Sequence, residues 1–461
     1  MRAWLFRQVY GGRMKHLAGI PGPAPRFPLG TAADFIGKRW PWEVCAEYGR
    51  TYGGMTLIWL GGSPAIVLND PDRTAEVLDT RAEDYYKNSP RDAIGPIITT
   101  DGLFLSNGEQ WKFLRTNSPF NVPGVRDWFA RQLPLLRTAV SDAVDRLVGQ
   151  DVPDLVEAAR RFSYDAFSLA AWGRTFGDES YKEFMNLAAV GTNRMIEPPP
   201  LQKLPPLDPR YWRDHNRWYV PFEQHVEQTV GNPSPDAPDL LNTVLRAGTK
   251  LSPKQLMLEL SVSVFFGGVF GPSSALATAL LCLNRNPEVL TRLRAELKEK
   301  DPLGPGFDLG ALESCQTLDH VLRETLRWFP PVPIYFRNTR TDRSVVLGGF
   351  PLPPDTVIFL SNYLNHRDPK HWDRAEEWVP DRWANGGVDR DPMGSGYFWP
   401  FGRGPRACVG ADFAMFYLRL ALAVILAKAE VRIDPAAQYK TQYFFAVEYP
   451  EKVKATMSRL P

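Results

Sequence analysis

The chain has 461 residues, room for two or three domains or one large one, and its 44% hydrophobic and 12% aromatic content supports a large core. A net charge of +2 argues against a dedicated nucleic-acid binder. The four cysteines, Cys45, Cys282, Cys315 and Cys408, show no Cys-x-x-Cys pair or secretory spacing, so a reducing, cytoplasmic compartment fits best; the six histidines form no zinc pattern.

The first residues, 1 to 16, carry Arg2, Arg7, Arg13 and Lys15 among Trp4, Leu5, Phe6 and Tyr10. Such a segment suits peripheral contact with an anionic membrane surface, and reads equally as a frayed basic terminus. It lacks the apolar core of a signal peptide, and no run of about 18 apolar residues marks a transmembrane anchor. Gly19 to Pro25 is a stiff, extended lead-in. The division expected is therefore a basic segment over 1–18 and one domain over 19–461.

Met55 to Leu60 and Ala65 to Leu68 read as strands of a hairpin turning at Gly61-Gly62. Asn88 to Leu105 reads as a loop. Trp111 and Arg115 stand four apart, on one helix face. Residues 120–190 alternate apolar and charged positions at helical spacing, and the proline-rich stretch from Glu197 to Pro209 breaks the pattern. The longest helix starts at Ser252-Pro-Lys-Gln255, where Ser252 suits the N-cap, Pro253 the first turn and Gln255 a capping box. It runs, apolar nearly all round, to about Asn284, and Asn286-Pro287 starts another. Glu324 and Arg327 form a helical i,i+3 pair closed by Pro330-Pro331. Arg337 follows on a strand, and Val379-Pro-Asp-Arg382-Trp383 comes later.

The stretch Phe401-Gly-Arg-Gly-Pro-Arg-Ala-Cys-Val-Gly410 cannot be a regular element, with three glycines and a proline in ten residues. It is a loop that presents Cys408 ahead of an apolar helix from Ala411 to about Ala429, where the helix dipole favours a thiolate. Its spacing, Phe-x-x-Gly-x-Arg-x-Cys-x-Gly, resembles the haem-binding loop of the cytochrome P-450 family, through Phe401, Gly404, Arg406, Cys408 and Gly410. The Glu324-x-x-Arg327 pair and the Pro-Asp-Arg382-Trp383 segment are similar to that family's in kind and order.

The resemblance implies a mainly α fold with a small β-region, and one haem b whose iron is ligated by Cys408. It sets Trp111, Arg115, Arg337 and Arg406 at the propionates, and Gly267, Gly268, Phe401, Gly402 and Gly410 along the cofactor. Glu324, Arg327 and Arg382 become a structural charge network. Phe265, Phe266, Val332, Ile334, Phe444 and Phe445 become the pocket walls for a hydrophobic substrate: terpenoid, steroid, fatty acyl or polyketide. Electrons are expected from a separate ferredoxin or reductase. One departure stands out. The family's acid and alcohol on the distal helix are replaced by Phe270 and Gly271, followed by Pro272 and Ser273. Pro272 leaves the Gly268 carbonyl without its helical partner, so the helix is expected to open there. Protons would then come from water, from the substrate's hydroxyl, or from Ser273 or Ser274. Three functions follow: a monooxygenase using dioxygen, a peroxide-using peroxygenase or isomerase, or a non-catalytic haem-binding protein.

Overall fold

The computed structural model describes residues 2–35, 40–121, 124–196, 204–386, 396–437, 441–445 and 447–460. It resolves into two compact units. One is Met1–Asp92, Val332–Glu377 and Asp389–Cys408; the other is Ala93–Pro331, Trp378–Val388 and Val409–Pro461.

The first unit is built on a five-stranded sheet. Met55–Leu60 pairs antiparallel with Ser63–Leu68 through the two-residue turn at Gly61-Gly62, as the alternating apolar runs dictate. Ser63–Leu68 then pairs in parallel with Val357–Leu360, which pairs antiparallel with Tyr335–Thr339, and Tyr85–Tyr86 closes the edge. Leu57, Ile66, Leu68, Ile358 and Leu360 enter one buried cluster with Phe6, Leu17, Leu78 and Trp399. Phe6 belongs to the helix Arg2–Met14 and packs edge-on against Trp59. The N-terminal segment is thus a docked helix, with Trp4, Leu5 and Val9 left exposed.

The second unit is helical. Val125–Leu147, Leu155–Trp172 and Gly177–Ile196 occupy the stretch where helical spacing was expected. The stretch Glu197 to Pro209 lies mostly outside the described residues, and a helix Pro209–Val230 follows it, capped by Asp208. A helix Ser89–Ile98 replaces much of the loop expected from Asn88 to Leu105. The C-terminal strands form a hairpin, Thr441–Phe444 with Val447–Pro450, and a three-stranded sheet.

The long helix is present with the predicted capping box between Ser252 and Gln255. It runs as Pro253–Ser261, a wide π turn Val262–Gly267, and Phe270–Arg285. Among the described residues the run Pro253–Arg285 alone is long and apolar enough to cross a membrane, but 83% of its most apolar window is buried inside the protein, as in a core helix. The distortion sits one turn earlier than Pro272. The amides of Gly268, Val269 and Ser273 still donate four residues back, to Val264, Phe265 and Val269. Pro272 cannot donate to the Gly268 carbonyl, yet it sits inside the α-helical run Phe270–Arg285.

Candidate active site

In the first unit the loop from Phe401 folds back on itself. The Cys408 amide donates to the Phe401 carbonyl at 2.8 Å, the Ala407 amide to Gly404 at 2.9 Å and the Gly402 amide to Trp399 at 3.0 Å. Gly402 and Gly404 take left-handed φ values of 72° and 70°. A Cβ on Gly404 would stand 2.1 Å from the Leu78 carbonyl, so only glycine lets the loop lie against that backbone. The Cys408 thiol ends up exposed, whereas Cys45, Cys282 and Cys315 are buried. Burial pushes the Cys315 thiol up to about 11 and Cys45 higher still, which keeps both as inert thiols.

Two guanidiniums stand near this loop. Arg337, on the strand Tyr335–Thr339, is buried, and burial pulls its pKa down to about 10. Arg406 is pulled down to about 9, first by burial and then by the charge of Arg337. Two like charges desolvated side by side are stabilised by an anion placed with them. An exposed thiol on a glycine loop beside an anion-seeking arginine pair fits a haem with its propionates. Val332 and Ile334, ahead of the same strand, belong to this unit, Ile334 buried and Val332 half-buried.

In the second unit, Glu324 sits at the centre of a closed charge network. Its carboxylate accepts from Arg327 Nε and Nη2 at 2.9 and 2.8 Å, Arg382 Nε at 3.1 Å, the Val379 amide at 2.7 Å and Trp383 Nε1 at 3.0 Å. The side chains of Glu324 and Arg327 are 0% exposed. The Val379 and Trp383 donors were not legible in the residue pattern, because they depend on how that segment crosses the helix. Trp111 and Arg115 lie on the helix Gly108–Thr116, both half-buried.

The distal helix differs from the expectation in three respects. Gly268 does not serve close approach to a flat ligand: a Cβ there would meet the Phe167 ring at 2.7 Å and the Val264 carbonyl at 2.2 Å. At Gly267 and Gly271, by contrast, no atom of the described residues lies within 4 Å of a Cβ. We expect Gly268→Ala to lower stability by about 1–3 kcal/mol through overpacking, and Gly267→Ala to be neutral or stabilising by up to ~1 kcal/mol. Urea unfolding midpoints of the two proteins check this contrast.

Phe270 carries no chemistry in place of the missing acid. It is fully buried, stacked on Phe184 with ring centroids 5.0 Å apart, and contacts Phe444 and Phe445. Phe266 joins that cluster, while Phe265 turns to Tyr164, Trp218 and Phe222 in the core. Ser273 and Ser274 also face away from the open side. Ser273 Oγ donates to the Phe270 carbonyl at 3.1 Å and lies 3.3 Å from Tyr449 Oη, and Ser274 Oγ donates to the Glu448 carbonyl; both serines are 0% exposed. The helix face that carries them packs on the strand Val447–Pro450, which occupies both hydroxyls.

The family model described as cytochrome P450 matches residues 20–456, across both units. The chain belongs to the cytochrome P450 family. It is 30% identical to cytochrome P450 734A5 of Oryza sativa subsp. japonica, over 92% of this chain and 86% of that one. It is 26% identical to cytochrome P450 3A13 of Mus musculus (88% and 84%) and 25% identical to premnaspirodiene oxygenase of Hyoscyamus muticus (88% and 85%). The crystal structure of the cytochrome P450DA heme domain superposes with a TM-score of 0.80 at 22% identity, covering 96% of this chain and 98% of that one, so the P450 fold is shared. This P450 is accordingly a mainly helical monooxygenase that uses a haem-thiolate cofactor and takes electrons from a redox partner.

One acid of this P450 belongs to none of the sequence motifs. Glu259 lies in the first stretch of the long helix, 3% exposed, and accepts the Leu103 amide at 2.8 Å. Burial raises its pKa to about 7, against the lowering pull of that amide. In the unfolded chain the group returns to its ordinary 4.5. The folded state therefore holds the extra proton between these values, so stability is expected to fall as pH rises from about 4.5 to about 7. The loss is roughly 1–3 kcal/mol, since each pKa unit is worth about 1.4 kcal/mol and solvent relieves part of it. Denaturant titrations across that range should show the slope in the native protein and its absence in Glu259→Gln.

Proposed function

We propose that this P450 inserts one atom of dioxygen into a hydrophobic small molecule, with Cys408 as the iron ligand. The observation that carries the reading is the exposed Cys408 thiol on a loop locked by the Phe401 carbonyl, with Arg337 and Arg406 desolvated beside it. Arg337 and Arg406 hold the propionates, and the resemblance adds Trp111 and Arg115 to that task. When bound, the haem supplies the oxidising power for C–H chemistry, which thiolate ligation strengthens. The chain's own side chains bind and orient the substrate and keep bulk water away. The pocket walls that the resemblance implies, Phe266, Phe444 and Phe445 in one unit and Val332 and Ile334 in the other, are apolar, which suits a hydrocarbon-rich substrate such as a terpenoid, steroid, fatty acyl or polyketide. A relative named as a premnaspirodiene oxygenase supports the terpenoid end of that range. Electrons come from a separate ferredoxin or reductase, and residues 19–461 act as one haem-thiolate domain.

A second reading is a peroxide-driven oxidation, favoured by Phe270 and Gly271, which carry no transferable proton. Product from lipophilic compounds with NADPH and redox partners, but not with hydrogen peroxide alone, is the result expected; product with peroxide alone would select the second reading. A cytoplasmic setting is supported by the four cysteines, none of them in a disulfide, and peripheral membrane contact through the helix Arg2–Met14 by the exposed Trp4, Leu5 and Val9.

A further inference from the structure

Monooxygenation consumes two protons per turnover: a C–H bond, dioxygen, two electrons and two protons become a C–OH bond and water. The electrons come from the redox partner. In this chain neither Phe270 nor Gly271 can pass a proton, and Ser273 and Ser274 are held against the strand Val447–Pro450. A carboxyl stands elsewhere on the same helix.

Glu259 lines a cleft of about 420 Å³ together with Asp101, Gly102, Gln110 and Lys254. The cleft is polar and large enough to hold several waters. From Glu259 the helix carries Ser263, Gly267 and Gly271 at four-residue intervals. A regular α-helix would rotate such positions progressively off one face. The π turn Val262–Gly267 has more residues per turn and winds them back. The residues between them pack inward: Val264, Phe265, Phe266, Val269 and Phe270 are buried. Among the described residues, none comes within 4 Å of a Cβ built at Gly267 or Gly271, on the side where the resemblance lays the haem.

We propose that Glu259 is the proton-collecting residue of this enzyme, taking protons from solvent in the cleft and passing them along this helix face toward the haem side, through water ordered by Ser263 and by the backbone at Gly267 and Gly271. Each transfer breaks the carboxyl O–H and forms an O–H on water; the carboxylate is reprotonated from the cleft. The path from Glu259 to Gly271 is about 18 Å at about 1.5 Å per residue, a span that needs a water chain rather than direct contact. A group that gives and regains protons near neutrality suits the task, and burial raises Glu259 to about 7. Asp101 and Lys254 are the ionisable side chains that share the cleft; neither sets the position of Glu259, nor does a charge from the helix Pro209–Val230 packed on the same segment. The proposal rests on the monooxygenase reading above.

The test uses the haem-loaded full chain and its Glu259→Gln and Glu259→Asp variants. Glutamine keeps an acceptor for the Leu103 amide but has no acidic proton. Product per NADPH should fall in the native protein as pH rises through about 7. In Glu259→Gln it should be at least about tenfold lower and independent of pH, with a larger solvent deuterium effect, and aspartate should restore part of it. Infrared titration of the resting protein supplies a readout apart from turnover: a protonated carboxyl band that disappears near neutral pH and is missing in Glu259→Gln. Full coupling and an unchanged pH profile in Glu259→Gln, or no such band in the native protein, would overturn the proposal alone. Native protein that makes product only from peroxide would overturn the monooxygenase reading and this proposal with it.

Discussion

Replacing Cys408 by histidine is expected to abolish the red-shifted Soret band of the ferrous carbon monoxide complex while leaving the loop folded. The loop is held by main-chain bonds, from the Cys408 amide to Phe401 and from the Ala407 amide to Gly404, which histidine retains. Its tight turns belong to Gly402 and Gly404, which the substitution does not touch. What is lost is the thiolate, whose electron donation gives the cofactor both its spectrum and its oxidising power. Product formation should fall to background. Cys315→Ser is the matched control, because that thiol is buried, raised to about 11, and donates to the Ala311 carbonyl. A shifted band that survives in the Cys408→His protein would mean that another residue ligates the iron.

Removing the carboxylate of Glu324 is expected to leave little folded, haem-loaded protein. Glu324 accepts from two residues' guanidiniums, one indole and one amide, in a setting where its own side chain and that of Arg327 are 0% exposed. Glu324→Ala strands the Arg327 guanidinium away from water. Breaking a buried pair in this way costs about 3–5 kcal/mol, a large part of the roughly 5–15 kcal/mol that holds a domain together. The Glu324→Leu, Arg327→Met double variant should be less damaging than Glu324→Ala, because it removes the fully buried Arg327 charge together with its partner and leaves only the less buried Arg382. Yield of haem protein and urea midpoints measure both effects. A Glu324→Ala protein as stable as the native one would show that the network contributes nothing to folding.

Much of this protein is written in short stretches of chain. The capping box at Ser252 and Gln255, the Gly61-Gly62 hairpin turn and the Glu324–Arg327 pair each involve groups within four residues, so spacing and residue type suffice to predict them. The Cys408 loop is legible for the same reason: its glycines and proline exclude every regular element, and its bonds close within ten residues.

What only the tertiary structure decided is which way each side of the long helix faces. In sequence, Gly267 and Gly268 are equivalent. Gly268 is claimed by Phe167, Ser273 by Tyr449, and Phe270 by Phe184, each of them far away in the chain. The π turn then sets Ser263, Gly267 and Gly271 on the open side. Glu259 acquires its raised pKa from burial beside Leu103, more than 150 residues earlier. A helix apolar nearly all round does not encode which of its faces packs and which stays open. Its neighbours do, because packing and desolvation depend on the atoms that surround a group and not on the residues beside it in the chain.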